Sequence, residues 1–272
     1  MLRILDARTG EPVSAAPARR GLTRIEAYAS DLDLTALRVL LTADLLVRAL
    51  ELGGTPVWTI LTAPRRTAEL RAAATALAIR PFEDGRDLAS GLGESQVIHV
   101  VAETTEDPPP EGPLLAVAPV IPGEIPAPAP GETPAAATAP AAVPGARGGD
   151  LPVDLSRLLS DPASLRLALF CVPRNTAVRL DAGRLAEAAR TLDHWRRAVA
   201  GWARRPSRPV PDEVRARLRA AWEDDLDLPG VLDVLRDVER TPGLPDGARF
   251  ETYVYADRLL ALDLARDLGS LA

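Results

Sequence analysis

The chain contains no lysine: all 32 of its basic residues are arginine. That excludes a lysine Schiff base, a P-loop lysine and any lysine-dependent phosphate clamp. Arginine keeps its charge and offers a rigid donor fork, so it replaces lysine as a cation but not as a titratable nucleophile. With alanine and proline plentiful, the exclusive use of arginine is the imprint of a GC-rich genome. A single cysteine, Cys171, excludes an internal disulfide and any cysteine-rich zinc site. Aromatic residues make up 4 % of the chain, and their scarcity beside abundant Ala and Leu favours helix over sheet. No run of about 18 apolar residues exists, and the opening Met1–Asp6 lacks the apolar core of a signal peptide. The expectation is a soluble cytoplasmic protein with no membrane partner. A net charge of −6 and a pI near 5.2 give no electrostatic case for nucleic acid, so tRNA is not an expected partner.

What is present divides the chain. Residues 106–149 hold twelve of the 26 prolines, five acids and one Arg, a composition that reads as a semi-extended linker. The predicted organisation is a first domain over residues 1–120, the Pro/Ala-rich linker over 106–149 and a second domain over 150–272. The short apolar run Leu114 to Ala118 is read as the last strand of the first domain.

In the first region, Leu2–Leu5, Thr9-Gly10 and Pro12-Val13 predict a hairpin with its turn at the glycine. Strands are expected at Arg24–Ala29, Pro56–Leu61 and Gln96–Val101, and helices at Leu34–Leu52, closed by Gly53-Gly54, and at Arg66–Leu77. Strands alternating with helices imply a parallel, Rossmann-like α/β layer. The second region reads as all helix. Asp161-Pro162 is an N-cap followed by proline at the first helical position. Stripes of three-four spacing follow at Leu185, Ala188, Leu192, Trp195, Val199, Trp202, then Val214, Leu218, Trp222, then Val231 to Val238, and finally Tyr253, Ala256, Leu260, Leu264. These predict an antiparallel α-helical bundle.

Few residues invite chemistry. His99 sits in an apolar strand and reads as a core or strand-end histidine, and His194 as a solvated helix-edge residue. Cys171 follows an apolar helix and reads as a buried, inert thiol. The arginines Arg196, Arg197, Arg204, Arg205 and Arg208 read as a salt-bridged helix surface, because residues 150–272 balance 19 Arg against 20 acids. Asp224, Asp225 and Asp227 precede Pro229 as acids at a helix N-terminus do. Asp31, Asp33 and Thr35 lie where a strand meets a helix, the corner that binds phosphates in such folds. Paired acids there favour capping the helix over binding an anion.

In order along the chain, several segments resemble one family. The opening Leu2–Val13 is similar to the first hairpin of the class I cysteinyl-tRNA synthetases and of the related mycothiol-pathway cysteine ligase. Asp44-Leu-Leu-Val-Arg48-Ala-Leu50-Glu-Leu-Gly53 is similar to the family's Asp-x-x-x-Arg-x-Leu helix, and Leu70–Asp87 resembles the stretch leading to its Pro-Arg-Ala-Thr segment. Asp161–Phe170 is similar to its Asp-Pro-x-Ala-Leu-Arg-Leu, Leu192–Ala198 leans toward the mycothiol ligase, and Glu223–Pro229 looks like the segment before a bundle helix. The resemblance implies a truncated class I synthetase-like Rossmann domain with a helical bundle behind it.

It also implies chemistry whose residues are missing. The family's His-Ile-Gly-His motif for ATP falls, counting back from Asp44, on Asp33-Leu34-Thr35-Ala36. Its Lys-Met-Ser-Lys-Ser motif needs lysine, and its zinc ligands need cysteine before Cys171. Preorganised donors of this kind are each worth roughly 10²–10³ in rate. The resemblance therefore implies a catalytically degenerate relative with neither ATP nor zinc as cofactor, acting as a binding or regulatory module on a protein partner. The alternative is an ATP-dependent amino-acid-activating or ligating enzyme with a reshaped pocket. The vestigial nucleotide site would comprise Asp31, Asp33, Thr35 and Arg38.

Overall fold

The computed structural model describes residues 1–17, 21–83, 94–106, 108–109, 111–124 and 153–269. Strands β1 (Arg3–Asp6) and β2 (Glu11–Ser14) form the expected antiparallel hairpin. Its turn places Gly10 at φ +71, a left-handed conformation that glycine adopts freely. β3 (Leu22–Tyr28) follows, then α1 (Leu34–Leu52), β4 (Val57–Thr62), α2 (Thr67–Ala76), β5 (Glu94–Ala102) and β6 (Leu114–Val117). The four longer-range strands make one parallel sheet in the order β4-β3-β5-β6.

α1 is the central helix. Asp33 starts it by accepting the Ala36 N–H at 2.7 Å, and Gly53 stops it by donating to the Ala49 carbonyl. Fourteen of its nineteen residues are buried, as befits a helix covered on all sides. One side packs on β3, β4, β5 and β6, and α2 and the last helix of the chain lie against it elsewhere.

β6 is the last strand expected at Leu114 to Ala118, and a further strand, β7 (Val120–Pro122), follows it within the predicted linker and pairs in parallel with β8 (Val178–Leu180). The second region is accordingly not all helix. Three-residue strands are too short for alternation to register, and Pro122 sits at a strand end, where a missing N–H is tolerated. Residues 125–149 of the predicted linker lie outside the described residues.

The remaining helices are α3 (Val153–Leu158), α4 (Pro162–Phe170), α5 (Ala182–Trp202), α6 (Asp212–Glu223), α7 (Leu228–Arg240) and α8 (Asp246–Leu260). Asp161, Asp181 and Asp227 cap α4, α5 and α7 through their side chains. α4 packs on α5, α6 on α7, and α8 on both α5 and α7. The stripe ending at Leu264 overruns its helix, because Ala261 turns left-handed at φ 48 and ends α8. One apolar core runs from Leu2 through the α1 side of the sheet to Leu264, with Trp195 and Trp222 almost wholly enclosed. Among the described residues, no helix is long and apolar enough to cross a membrane.

Candidate functional site

Strand succession runs from β3 outward to β4 and then back across to β5, so its direction reverses beside β3. In open α/β sheets the crevice beyond the carboxyl ends of the strands at such a switch point is where ligands bind. This chain has a crevice there, of about 260 Å³. The end of β3 contributes Tyr28, Ala29 and Ser30. The start of α1 contributes Asp33, Thr35 and Ala36. Thr62 and Pro64 follow β4, and Ala102, Thr104 and Thr105 close the far side. Among the described residues, the lining carries six hydroxyl side chains, one carboxylate and no cation.

The four residues singled out from the sequence meet different fates. Asp33 lines the crevice but spends its carboxylate on the α1 cap. Thr35 also lines it, while its hydroxyl accepts the Val120 N–H at 3.1 Å and so ties β7 to α1. Asp31 is not part of the lining; it accepts the Leu32 N–H and pairs with Arg65 at 3.4 Å on the surface. Arg38 is turned inward and is only 3 % exposed. Its guanidinium donates to the carbonyls of Ala118 (2.9 Å), Thr176 (2.8 Å), Pro173 (2.8 Å) and Val172 (3.3 Å). Burial lowers its pKa to about 10. Arg38 is therefore absent from the crevice lining, and the structure does not bring the four residues together.

Other expectations shift as well. Cys171 is exposed at the end of α4 rather than buried, its thiol donating to the Leu167 carbonyl at 3.3 Å. Although the residue is exposed, its sulfur lies in a niche beside Leu167, Ala188 and Thr191, and partial desolvation there pushes its pKa up, with Arg236 and Arg184 opposing. Arg196 is no surface residue: it is buried and donates to the carbonyls of Leu262 and Asp263. Asp227 caps α7 as the sequence suggested, but Asp225 accepts from Leu5 N–H and Arg174 instead. His194 is exposed and pairs with Glu239. Among the described residues, no group of three or more His, Cys, Asp or Glu is placed to hold a metal ion.

No protein-family model matches the chain. Part of it is nevertheless similar to curated proteins. Over 81 residues it is 44 % identical to the L-cysteine:1D-myo-inositol 2-amino-2-deoxy-alpha-D-glucopyranoside ligase of Parafrankia sp., a match covering 29 % of this chain and 17 % of that protein. Over 90 residues it is 37 % identical to the ligase of the same name from Streptosporangium roseum, covering 33 % of this chain and 21 % of the relative. The match thus spans about a fifth of the length of these relatives. It supports a distant likeness to the ligases, in step with the parallel α/β sheet.

Sequence reading passed over two residues beside the crevice. Glu26 and Tyr28 alternate along β3 with Ile25 and Ala27, which join the core. A strand covered by helices on both faces reads as a continuous apolar run, so Arg24-Ile25-Glu26-Ala27-Tyr28 was the available signal that one face of the sheet carries polar groups. His99, on β5, is 5 % exposed and lies on that same face in register with Glu26.

Proposed function

We propose that this chain is a class I synthetase-like relative of the mycothiol cysteine ligases that keeps the α/β frame, with its later helices forming a bundle, and has lost the adenylating reaction. In this reading the sheet crevice takes a small polar molecule, and the protein acts as a binding or regulatory module toward a protein partner. The observation that carries it is the corner where α1 begins. Asp33 occupies the helix N-terminus at which such folds hold phosphate, and no cation among the described residues lines the crevice. A carboxylate there repels a nucleotide phosphate and already consumes the helix donor that would bind it. Zinc fits no better, since the one metal-ligating type in the lining is that same committed carboxylate and Cys171 lies at the end of α4. Retained ATP-dependent ligation would need Arg38 at the pocket, and its fork is occupied by four carbonyls.

The test is cysteine-dependent ATP–pyrophosphate exchange by the purified chain, paired with calorimetric titration of magnesium-ATP. The expected result is no exchange above a protein-free control and no saturable heat. Exchange activity, or ATP binding weakened by Thr35→Val, overturns the reading.

A further inference from the structure

On the sheet face away from α1, at the edge of the crevice, three ionisable side chains converge. Parallel register sets Glu26 of β3 beside His99 of β5, and Tyr28 beside Thr62 of β4. The Tyr28 hydroxyl lies 3.3 Å from His99 Nδ1, and the same nitrogen lies 3.6 Å from the Glu26 carboxylate. Thr62 Oγ1 donates to Glu26 at 2.8 Å and holds it in place. The imidazole also bonds the backbone of Glu111, in the loop between β5 and β6. With Nδ1 facing Tyr28 and Glu26, Nε2 is the nitrogen left to donate to the Glu111 backbone. Nδ1 of the neutral ring is then an acceptor for the Tyr28 O–H, shared with the Glu26 carboxylate, a tautomer assigned from these partners.

The groups facing His99 are Glu26, Tyr28 and Arg24 from β3, Arg8 from the hairpin turn and the Glu111 backbone. Burial lowers its pKa, Arg24 and Arg8 act in the same direction, and Glu26 and Glu111 oppose. Burial thus favours the neutral ring. Burial, and then Glu26, raises the Tyr28 phenol far above its ordinary range, so the phenol passes protons without resting as phenolate.

We propose that Tyr28 and His99 form a proton relay serving the crevice, and that its ligand is a small molecule carrying an acidic hydroxyl. In the forward step the ligand O–H breaks as its proton moves to the Tyr28 oxygen, and the original phenolic O–H breaks as that proton moves to His99 Nδ1. The electron pair stays on the ligand oxygen, and the new imidazolium faces the Glu26 carboxylate. A neutral imidazole behind a phenol accepts protons from hydroxyls far more acidic than those of simple alcohols, such as an activated phenol. Six hydroxyls and room for about 260 Å³ suit a ligand of that size and polarity. The inference shares with the proposed function the assignment of the crevice as the binding place, and is independent of ATP.

The experiment uses the whole chain with p-nitrophenol as probe at about pH 6. Saturation-transfer NMR reads binding, visible absorbance reads the phenolate, and ¹⁵N NMR reads His99, distinguished from the other histidine by His194→Gln. The expected result is saturable binding in which phenolate and His99 imidazolium appear together, one for one. Tyr28→Phe, which keeps the ring but removes the hydroxyl that hydrogen-bonds the bound phenolate, lowers phenolate per bound probe roughly tenfold, while Cys171→Ser leaves it unchanged. A bound probe with His99 still neutral overturns the relay and leaves the crevice assignment standing. Absence of saturable binding overturns both, and phenolate formation that survives Tyr28→Phe overturns the relay.

Discussion

Arg166 has no exposed side-chain surface, yet every element it joins depends on its fork. It donates to the Leu260 carbonyl at 2.6 Å, to the Leu77 carbonyl at 2.9 Å and to Asp44 at 2.6 Å. Asp44, equally buried, also accepts from Arg48 at 2.8 Å and from the Arg80 N–H at 3.1 Å. Removing Asp44 strands Arg166 as an uncompensated buried charge, which costs about 3–5 kcal/mol, whereas removing Arg166 leaves Asp44 its pair with Arg48. Asp44→Ala is expected to lose that much in urea unfolding, and Arg166→Met clearly less. The double variant should lose clearly less than the sum, since the two share one network. Arg38 follows the same logic toward four carbonyls, which lysine with a single ammonium point cannot reach at once. Arg38→Lys should therefore destabilise nearly as much as Arg38→Ala, by more than about 2 kcal/mol. The lack of lysine, a matter of genome composition at the surface, is in these interiors also a matter of geometry. Asp257 gives a pH signature. Burial raises its pKa, against the N–H groups of Leu262 and Leu264 that it accepts from. A carboxyl whose folded pKa exceeds its unfolded one takes up a proton on folding, so stability falls as pH rises between the two values. Relative to Asp257→Asn, wild-type stability should decline across the window from the ordinary carboxylate range upward and then level off, as read by denaturation at a series of pH values.

At the scale of elements, α1 is held at its start by one carboxylate. Asp33→Ala removes the cap and should cost about 1 kcal/mol, with Asp33→Asn costing less, both read from melting curves. That helix was legible because its apolar run and its Gly53-Gly54 stop are local signals, and the observed Leu34–Leu52 agrees with the reading residue for residue. The hairpin, the parallel strands and the starts of α4 and α7 were legible for the same reason, since turn glycines and capping aspartates announce themselves within a few residues. β7 and β8 were not, because each of these three-residue strands exists only through the other, 58 residues away at Val120 and Val178. Arg196 looked like surface because the carbonyls it satisfies lie 66 and 67 residues further on. The crevice followed the same rule. Asp33 and Thr35 could be placed at the strand–helix corner from sequence, but Arg38 could not be assigned inward and Tyr28 could not be joined to His99. That pair is set by the parallel register of β3 and β5, across 71 residues.

Across the whole molecule, the hairpin, the sheet and the later helices meet at one corner. Asp225, at φ 53 in the turn between α6 and α7, accepts the Leu5 N–H at 2.8 Å and Arg174 at 2.5 Å, while its own N–H donates to the Arg3 carbonyl at 2.9 Å. Arg174 reaches on to the carbonyls of Ala116 at 2.5 Å and Leu5 at 3.3 Å. A left-handed position suits Asp and Asn better than Ala, so Asp225→Ala loses both the acceptor and the backbone preference. Asp225→Asn keeps the conformation and one acceptor oxygen but loses the charge opposite Arg174. With this joint lying over a core shared by both halves, the two halves should unfold as one unit. The tryptophans report on it separately: Trp58 sits on the sheet, whereas Trp195, Trp202 and Trp222 sit on α5 and α6. A variant retaining Trp58 alone and one lacking only Trp58 should therefore melt with coincident fluorescence and circular-dichroism midpoints. Asp225→Ala, by loosening the joint, should lower the midpoint and draw the two probes apart, with Asp225→Asn lying between it and the wild type. Separate midpoints in the unmodified background would mean that the halves fold independently and that the Asp225–Arg174 corner contributes little to their union.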